Sequence, residues 1–241
     1  MDRKSVVVVT GGAKRVGRDI ATYLASKSYQ IVLHCNTSRN EAEQLKQDLE
    51  KNGAEVAVVQ GDLTDLSQLE TLFLRFIEPF GCVDALVNNA SQFIPCTIEM
   101  LTLEAYRSDM ALHADAPFFL AKYLYEHLKK RKARGAVVNL TDTKLSSPTP
   151  SRPSYYCSKG NLQEQTRVLA ASLAPYVRVN AIAPGVVLSS GDDAYFAKME
   201  QLLPLRRCGT PRDVSEAVLY LLCAEFVTGV TLEVDGGQHL L

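Results

Sequence analysis

Seven short apolar runs, mostly of valine, isoleucine, leucine and alanine, constrain the fold of this chain more than any other feature. Continuous β-branched runs are typical of strands buried on both faces of a parallel sheet. Segments with helical spacing separate them, and repeated strand–helix units form right-handed crossovers. The sequence therefore predicts an α/β fold: a single domain over residues 1–241, with a doubly wound, seven-stranded parallel sheet of the Rossmann type flanked by helices. The predicted strands lie at about 5–10, 30–34, 55–60, 84–88, 135–141, 177–183 and 231–234, and the predicted helices at about 15–27, 40–52, 66–79, 102–131, 154–174 and 211–224.

The overall composition excludes several classes of protein. The chain has 241 residues, 46% of them hydrophobic, and a formal net charge of −1, whereas nucleic-acid binders usually carry a concentrated basic face. No apolar run approaches the roughly 20 residues of a membrane span, and the N-terminal segment lacks the pattern of a signal peptide. The six cysteines form no CxxC pair and the four histidines are dispersed. We therefore expect a cytoplasmic protein with reduced thiols and no metal, nucleic-acid or membrane site.

A glycine-rich turn follows the first predicted strand, in "TGGAKRVGRDIA" at residues 10–21. Gly11, Gly12 and Gly17 permit unusual dihedral angles and a close approach of the backbone to a ligand. The N-terminus of the following helix offers free N–H groups and a positive dipole end to a pyrophosphate. A tight turn without a ligand has similar spacing, but the position between a first strand and a helix favours a dinucleotide site.

The end of the second predicted strand indicates which dinucleotide binds. An NAD site commonly has an acidic residue here, which accepts a hydrogen bond from the ribose 2′-OH. This chain has no acid before Glu41, and instead supplies donors and cations that suit a 2′-phosphate. A solvated turn and helix cap would look similar, but the pattern favours NADP over NAD. These residues are Asn36, Thr37, Ser38 and Arg39, with Lys14 and Arg15 in the glycine turn.

The third and fourth predicted strands also end in polar segments. Asp62 in "GDLTD" either caps the next helix or accepts from an adenine amino group. "VNNASQF" places Asn89, Ala90 and Ser91 after the fourth strand. Ligands of open α/β sheets bind at this carboxyl edge.

The chemistry is predicted to lie in "NLTDTKLSSPTPSRPSYYCSKG", residues 139–160. Tyr155 and Lys159 are four residues apart and share one helix face. A nearby ammonium lowers the pKa of a phenol and eases proton transfer. Such a pair is common by chance, and Tyr156 competes with Tyr155 for the role. Asp142 either caps a loop or takes part in the chemistry.

The ordered set of motifs resembles the short-chain dehydrogenase/reductase family over nearly the full length. The motifs are "TGGAKRVG", "GDL", "NNAS", Tyr155-x-x-x-Lys159, "RVNAIAPG" and "VDGG". The resemblance implies that Tyr155 donates the proton and that Lys159 holds the nicotinamide ribose. It also implies NADPH as cofactor and a homotetramer built on the helices at 102–131 and 154–174 and on the last strand. The implied cofactor-binding residues are Gly11, Lys14, Arg15, Val16, Gly17, His34, Asn36, Thr37, Ser38, Arg39, Asp62, Leu63, Asn89, Ala90, Ser91, Tyr155, Lys159, Pro184 and Gly185.

Three departures from the general family pattern narrow this resemblance. Arg15 replaces a central glycine, Asp142 replaces a catalytic serine, and His113 replaces an asparagine on the long middle helix. The first two are similar to the pteridine reductase branch, and "GVVLSSGDDAYF" is similar to its bacterial members, including dihydromonapterin reductases. In that branch Phe93 would stack on a pterin. The implied substrate-binding residues are Arg15, Ser91, Phe93, Asp142, Tyr155 and Leu188, with segment 186–200 lining the mouth.

The expected activity is therefore NADPH-dependent reduction of a 7,8-dihydropterin, with dihydrofolate as a further candidate substrate. An acid can accept a hydrogen bond from the guanidine-like edge of a pterin when ionised and donate one when protonated. Two alternatives stay open. The first is reduction of another carbonyl compound, such as a ketone or a 3-oxoacyl substrate. The second is a dinucleotide sensor without enzymatic activity.

Overall fold

Seven strands form one fully parallel sheet within residues 4–189, 191 and 193–241, which the computed structural model of the protein describes. They are β1 (Val6–Val9), β2 (Gln30–Cys35), β3 (Val56–Gln60), β4 (Ala85–Asn88), β5 (Gly135–Leu140), β6 (Val177–Pro184) and β7 (Thr231–Val234). Their order is β3-β2-β1-β4-β5-β6-β7. The order reverses between β1 and β4, so these two strands form the switch point where ligands of doubly wound sheets bind. The predicted strands and the fold class are confirmed.

Helices cover both faces of the sheet. They are α1 (Arg15–Ser26), α2 (Arg39–Glu50), α3 (Leu69–Ile77), α4 (Leu103–Met110), α5 (Ala116–Arg131), α6 (Pro153–Leu173), α7 (Asp193–Leu202) and α8 (Pro211–Cys223). The helix predicted at 66–79 is α3 preceded by a turn of 3₁₀-helix at Leu66–Gln68. Helix α7 was not predicted from the sequence. No helix in the described part of the chain is long and apolar enough to cross a membrane.

The helix predicted at 102–131 is interrupted by a π-helical turn at Ala111–Asp115. Pro117 has no N–H to donate to the carbonyl of His113, four residues earlier, as a regular α-helix requires. The π-helical turn spans this point and places His113 in the interior, 1% exposed. Such turns are frequent at functional sites.

The hydrophobic core lies in two layers, one on each face of the sheet. Val6 and Val8 of β1 pack into the layer with Phe76 and Leu124. Val7 and Val9, on the opposite face, pack into the layer with Ile20 and other residues of α1 and α8. Because all four valines are fully buried, β1 is held from both sides and its carboxyl end is a fixed platform for the turn that follows.

Candidate active site

The glycine turn after β1 packs tightly against the residues that follow β4. Gly11 has a φ of 61°, and the Asn89 amide donates to the carbonyls of Thr10 and Gly11 at 2.9 and 3.2 Å. A side chain at Gly17 would clash with the Gly11 carbonyl and with the Asn89 amide. The start of α1 therefore lies directly against the turn, so its free N–H groups line this edge.

Arg15 begins α1 with a φ of 53°, in the left-handed region. A residue with a Cβ is disfavoured there, whereas glycine is not. This explains in backbone terms why the general family pattern has glycine at this position. The chain keeps an exposed guanidinium at the turn in spite of that backbone cost.

The polar residues predicted for a 2′-phosphate lie between β2 and the start of α2. Asn36, Thr37 and Arg39 are exposed, and Ser38 is partly exposed. Lys14 reaches across to the first turn of α2, where its ammonium pairs with Glu41 at 2.5 Å. The predicted polar residues after β2 thus lie at the surface beside the turn. Lys14 also lies there and forms an ion pair with Glu41.

His34 is buried beneath the turn rather than exposed at the edge. Its Nδ1 accepts from the Gly11 N–H at 3.4 Å, and its Nε2 lies 3.1 Å from the Gly61 carbonyl. Burial lowers its pKa to about 4, so the ring is neutral. Its side chain therefore positions the turn relative to the end of β3.

The other predicted cofactor residues follow the ends of β3, β4 and β6. Asp62 accepts from the N–H and hydroxyl of Thr64, both at 2.8 Å, so it caps the next turn. The N–H groups of Asn89 and Ala90 both donate to the Thr10 hydroxyl at 3.0 Å. Thr10 was missed by the sequence reasoning, although it immediately precedes the glycines. Of the remaining predicted residues, Leu63 is buried, and Val16, Pro184, Gly185 and Leu188 are partly buried.

Asp142 and Tyr155 are joined directly. The Tyr155 hydroxyl donates to Asp142 Oδ2 at 2.9 Å, and Asp142 Oδ1 accepts from the Lys144 N–H at 2.8 Å. The carboxylate therefore caps its loop and also holds the phenol. The hydroxyl of Tyr156 instead lies 3.3 Å from that of Thr149. The geometry selects Tyr155 over Tyr156 as the partner of the acid.

Lys159 lies below this pair, 2% exposed. Its ammonium donates to the Leu140 carbonyl at 2.6 Å and lies 5.9 Å from the centre of the Tyr155 ring. Burial lowers its pKa to about 8, against the opposing effect of the Asp142 charge. The pKa of Tyr155 is raised, first by burial and then by Asp142. The phenol therefore keeps its proton, contrary to the lowered pKa expected from the nearby Lys159, and donates a hydrogen bond to the Asp142 carboxylate.

His113 connects the α6 helix to the segment after β4. Its Nδ1 lies 2.9 Å from the Ser158 hydroxyl, which itself donates to the Tyr155 carbonyl at 2.8 Å. Ser158 must then accept from Nδ1–H, which leaves Nε2 as an acceptor for the Gln92 N–H at 3.3 Å and the Ser91 hydroxyl at 3.1 Å. Burial lowers the pKa of His113 to about 2. A neutral imidazole thus fixes Ser91 and Tyr155 relative to each other.

Phe93 and Arg152 lie together at the mouth of the site. Phe93 is 49% exposed, and its ring meets the Tyr155 ring edge-on with centroids 4.8 Å apart. The Arg152 guanidinium lies over the Phe93 ring, 2.9 Å from its centre to Cζ. Sequence reasoning missed Arg152, although it lies three residues before Tyr155 in the same quoted stretch.

A parallel, doubly wound sheet with a glycine turn at its switch point and a tyrosine–lysine pair at the same edge is the architecture of Rossmann-fold oxidoreductases. The profile of the family described as enoyl-(acyl carrier protein) reductase matches residues 11–239. The chain belongs to the short-chain dehydrogenase/reductase family.

Individual relatives carry different activities in their names. Two solved FolM alternative dihydrofolate reductases, from Brucella canis and Brucella suis, were crystallised with NADP, and each is 35% identical to this chain. Their TM-scores are 0.91 and 0.92, over 98% of this chain and 95% and 96% of theirs. A protein of the Streptomyces violaceoruber granaticin polyketide synthase, named as a ketoacyl reductase, is 34% identical over 98% of this chain and 96% of its own length. The family thus includes relatives named for the reduction of dihydrofolate and for the reduction of a ketoacyl group.

Proposed function

We propose that this protein is an NADPH-dependent reductase of pterins, which converts a 7,8-dihydropterin, or dihydrofolate, to the tetrahydro form. The observation that carries the proposal is the 2.9 Å hydrogen bond from the Tyr155 hydroxyl to Asp142 Oδ2. A ketone needs only a donor beside its oxygen, and a neutral hydroxyl would serve at position 142. A carboxylate suits a substrate that presents N–H donors and a ring nitrogen that gains a proton.

The cofactor assignment rests on the residues beside the glycine turn. Gly17 packs directly against Gly11, so the N–H groups at the start of α1 lie beside the turn, where they would bind a pyrophosphate. A 2′-phosphate would be held by Arg15, Ser38 and Arg39. Lys14 would leave its ion pair with Glu41 and bind the phosphate instead. The two FolM proteins with bound NADP support the same assignment.

When bound, the dinucleotide supplies a hydride to C6 of the C6=N5 bond of the dihydropterin, and is thereby oxidised to NADP⁺. A C–H bond forms at C6, and the former π electrons form an N–H bond at N5. The proton comes from the Tyr155–Asp142 pair or from a water that the pair orients. The pair, which has given up one proton, would then regain one proton from solvent through the partly exposed Asp142.

The test is NADPH oxidation followed at 340 nm with 7,8-dihydrobiopterin, 7,8-dihydromonapterin, 7,8-dihydrofolate and a 3-oxoacyl thioester, each repeated with NADH. We expect turnover of at least one dihydropterin with NADPH and a much lower rate with NADH. Turnover of the thioester alone would refute the proposal. No turnover of any substrate, despite NADPH binding, would favour a dinucleotide sensor.

A second candidate function is reduction of a 3-oxoacyl or related ketone. It is favoured by the 34% identity to the protein named as a ketoacyl reductase. Asp142 speaks against it, since a carboxylate already accepting from Tyr155 competes with a ketone oxygen for the phenolic proton. The thioester arm of the assay distinguishes the two functions.

We also propose that the protein is a homotetramer, as its family resemblance implies. Phe119 on α5 and Val168 on α6 are 39% and 50% exposed, and both are large apolar side chains on the helices expected at one interface. Light scattering of the purified protein tests this: a mass near that of one 26.5 kDa chain would contradict it.

A further inference from the structure

The Arg152 guanidinium occupies a position that the proposed substrate would need. It lies over the ring of Phe93, which is expected to stack on a pterin. Phe93 in turn contacts the ring of Tyr155, which donates to Asp142. A planar cationic N–C(N)–N group therefore already lies on the aromatic surface beside the catalytic acid.

Little besides the Phe93 ring holds this guanidinium. Within the part of the chain that the structure describes, the guanidinium of Arg152 has no hydrogen-bond or ion-pair partner, and its Nε is buried without an acceptor. Desolvation lowers its pKa, and the nearby Tyr156, Tyr155 and Asp142 act in the opposite direction. A partly desolvated cation with unused donors is displaced without the loss of a hydrogen bond or an ion pair.

We propose that Arg152 is a specificity-determining residue: its guanidinium covers the Phe93 face in the ligand-free protein, and the substrate ring binds by taking its place. This inference rests on the proposed pterin function. A 2-amino-4-oxopyrimidine ring has the same planar N–C(N)–N edge as a guanidinium and a larger stacking surface. The Phe93 surface that accepts Arg152 therefore favours planar, guanidine-like rings. Their stacking on Phe93 replaces the cation–π interaction of Arg152 with a more favourable interaction.

An open-chain ketone gains less from the exchange. Its acyl chain cannot stack on Phe93, so moving Arg152 breaks the cation–π interaction and no equivalent interaction forms in its place. Arg152 thus favours substrates whose stacking on Phe93 compensates for the displaced guanidinium, and it disfavours substrates that cannot stack there.

Binding of 7,8-dihydrobiopterin to the enzyme–NADP⁺ complex tests the displacement. We expect Arg152→Ala to lower the Kd by about 2- to 30-fold, the range that corresponds to one cation–π interaction. Arg152→Lys should lower it as well, because an ammonium keeps the charge but not the planar stack. Arg134→Ala, an exposed arginine before β5, is the matched control and should change nothing. A Kd that rises in Arg152→Ala would overturn the inference and make Arg152 a substrate ligand.

A second measurement tests the stack without any substrate. The chain has no tryptophan, so Phe93→Trp introduces a single fluorophore beneath the guanidinium. Acrylamide should quench this tryptophan more strongly when Arg152→Ala is added to Phe93→Trp. Adding Arg134→Ala instead should leave the quenching as it is in Phe93→Trp alone. Unchanged quenching would mean that the guanidinium does not cover the ring in solution, and the inference would be wrong.

The outcomes separate this inference from the proposed function. If the wild type reduces a dihydropterin and Arg152→Ala does not tighten its binding, only the inference fails. If the quenching difference is present but no dihydropterin binds or reacts, the proposed pterin function fails, and the inference fails with it.

Discussion

Replacing Asp142 by asparagine removes one charge from the site while leaving the loop cap in place. Asparagine caps as well as aspartate, so its side-chain oxygen can still accept from the Lys144 N–H at the position of Oδ1. Its NH₂ group then faces the Tyr155 hydroxyl, which no longer has the acceptor it uses now. The variant therefore isolates the interaction between acid and phenol.

The expected magnitude follows from this one hydrogen bond. Hydrogen bonds to a charged group contribute about 1.5–3 kcal/mol, compared with about 1 kcal/mol for neutral pairs. A positioned acid–base group contributes about 10²- to 10⁴-fold to a rate. We expect kcat for a dihydropterin to fall at least about 100-fold. The Kd for NADPH should change little, because Asp142 contacts Tyr155 and Lys144 rather than the glycine turn.

The assay combines single-turnover NADPH oxidation with fluorescence titration of NADPH. In Asp142→Ala, kcat should fall as much as in Asp142→Asn. This variant should also lose about 1 kcal/mol of stability, because the side chain that caps the loop is missing. Loss of the charge also lowers the pKa of Tyr155, because the Asp142 charge raises it. Two results for Asp142→Asn would refute the reasoning. One is a rate within about threefold of the wild type, which is well short of the fall expected for an acid–base group. The other is an equal loss in rate and in NADPH affinity.

Three further predictions concern backbone strain and buried charge. Arg15→Gly should raise the free energy of unfolding by about 1 kcal/mol, since glycine tolerates a φ of 53°, while weakening NADPH binding; lower stability in urea denaturation would contradict this. Lys159→Met should abolish turnover yet stabilise the fold at pH 7. Burial lowers the Lys159 pKa from 10.5 to about 8, so the buried charge costs about 3 kcal/mol of stability. The net gain is smaller, because the variant also loses the hydrogen bond to the Leu140 carbonyl. The cost of the buried charge is fully present below pH 8 and disappears as the pH rises towards 10.5, so the stabilisation should be absent at pH 10.5. His113 has its pKa lowered from 6.5 to about 2 and His34 has its pKa lowered to about 4, so at pH 5 the unfolded chain binds protons at both residues that the folded chain does not. Each residue should contribute a fall in stability of about 2 kcal/mol between pH 7 and pH 5. His113→Asn should remove the contribution of His113, and an unchanged slope of stability against pH would be the contrary result.

The sequence predicted the sheet because the signal for buried strands is local. Val6–Val9 alternate between the two core layers, and a run of four β-branched residues records that burial on both faces directly. Helix α7 escaped prediction because only Met199 is buried among its described side chains, so it carries no strong apolar periodicity. The break in the 102–131 helix could have been suspected from Pro117, which removes one backbone donor.

The candidate site was predictable as a set of residues but not as a set of interactions. The spacing of Tyr155 and Lys159 placed them on one helix face, yet the direction of the Lys159 ammonium towards Leu140 depends on how α6 packs against β5. The same holds for Arg152 and Phe93, which are 59 positions apart in the chain and meet only in the folded protein. The tautomer of His113 follows from three partners that no local pattern reveals.

The transfer of hydride to C6 of a dihydropterin is tested most directly with isotopic label. NADPH carrying deuterium at both C4 positions is incubated with the enzyme and 7,8-dihydrobiopterin, and the product is examined by mass spectrometry and proton NMR. The account predicts tetrahydrobiopterin with one deuterium at C6 and a proton from solvent at N5. Unlabelled tetrahydrobiopterin, or no reduction of the pterin while a 3-oxoacyl thioester acquires the label, would contradict it.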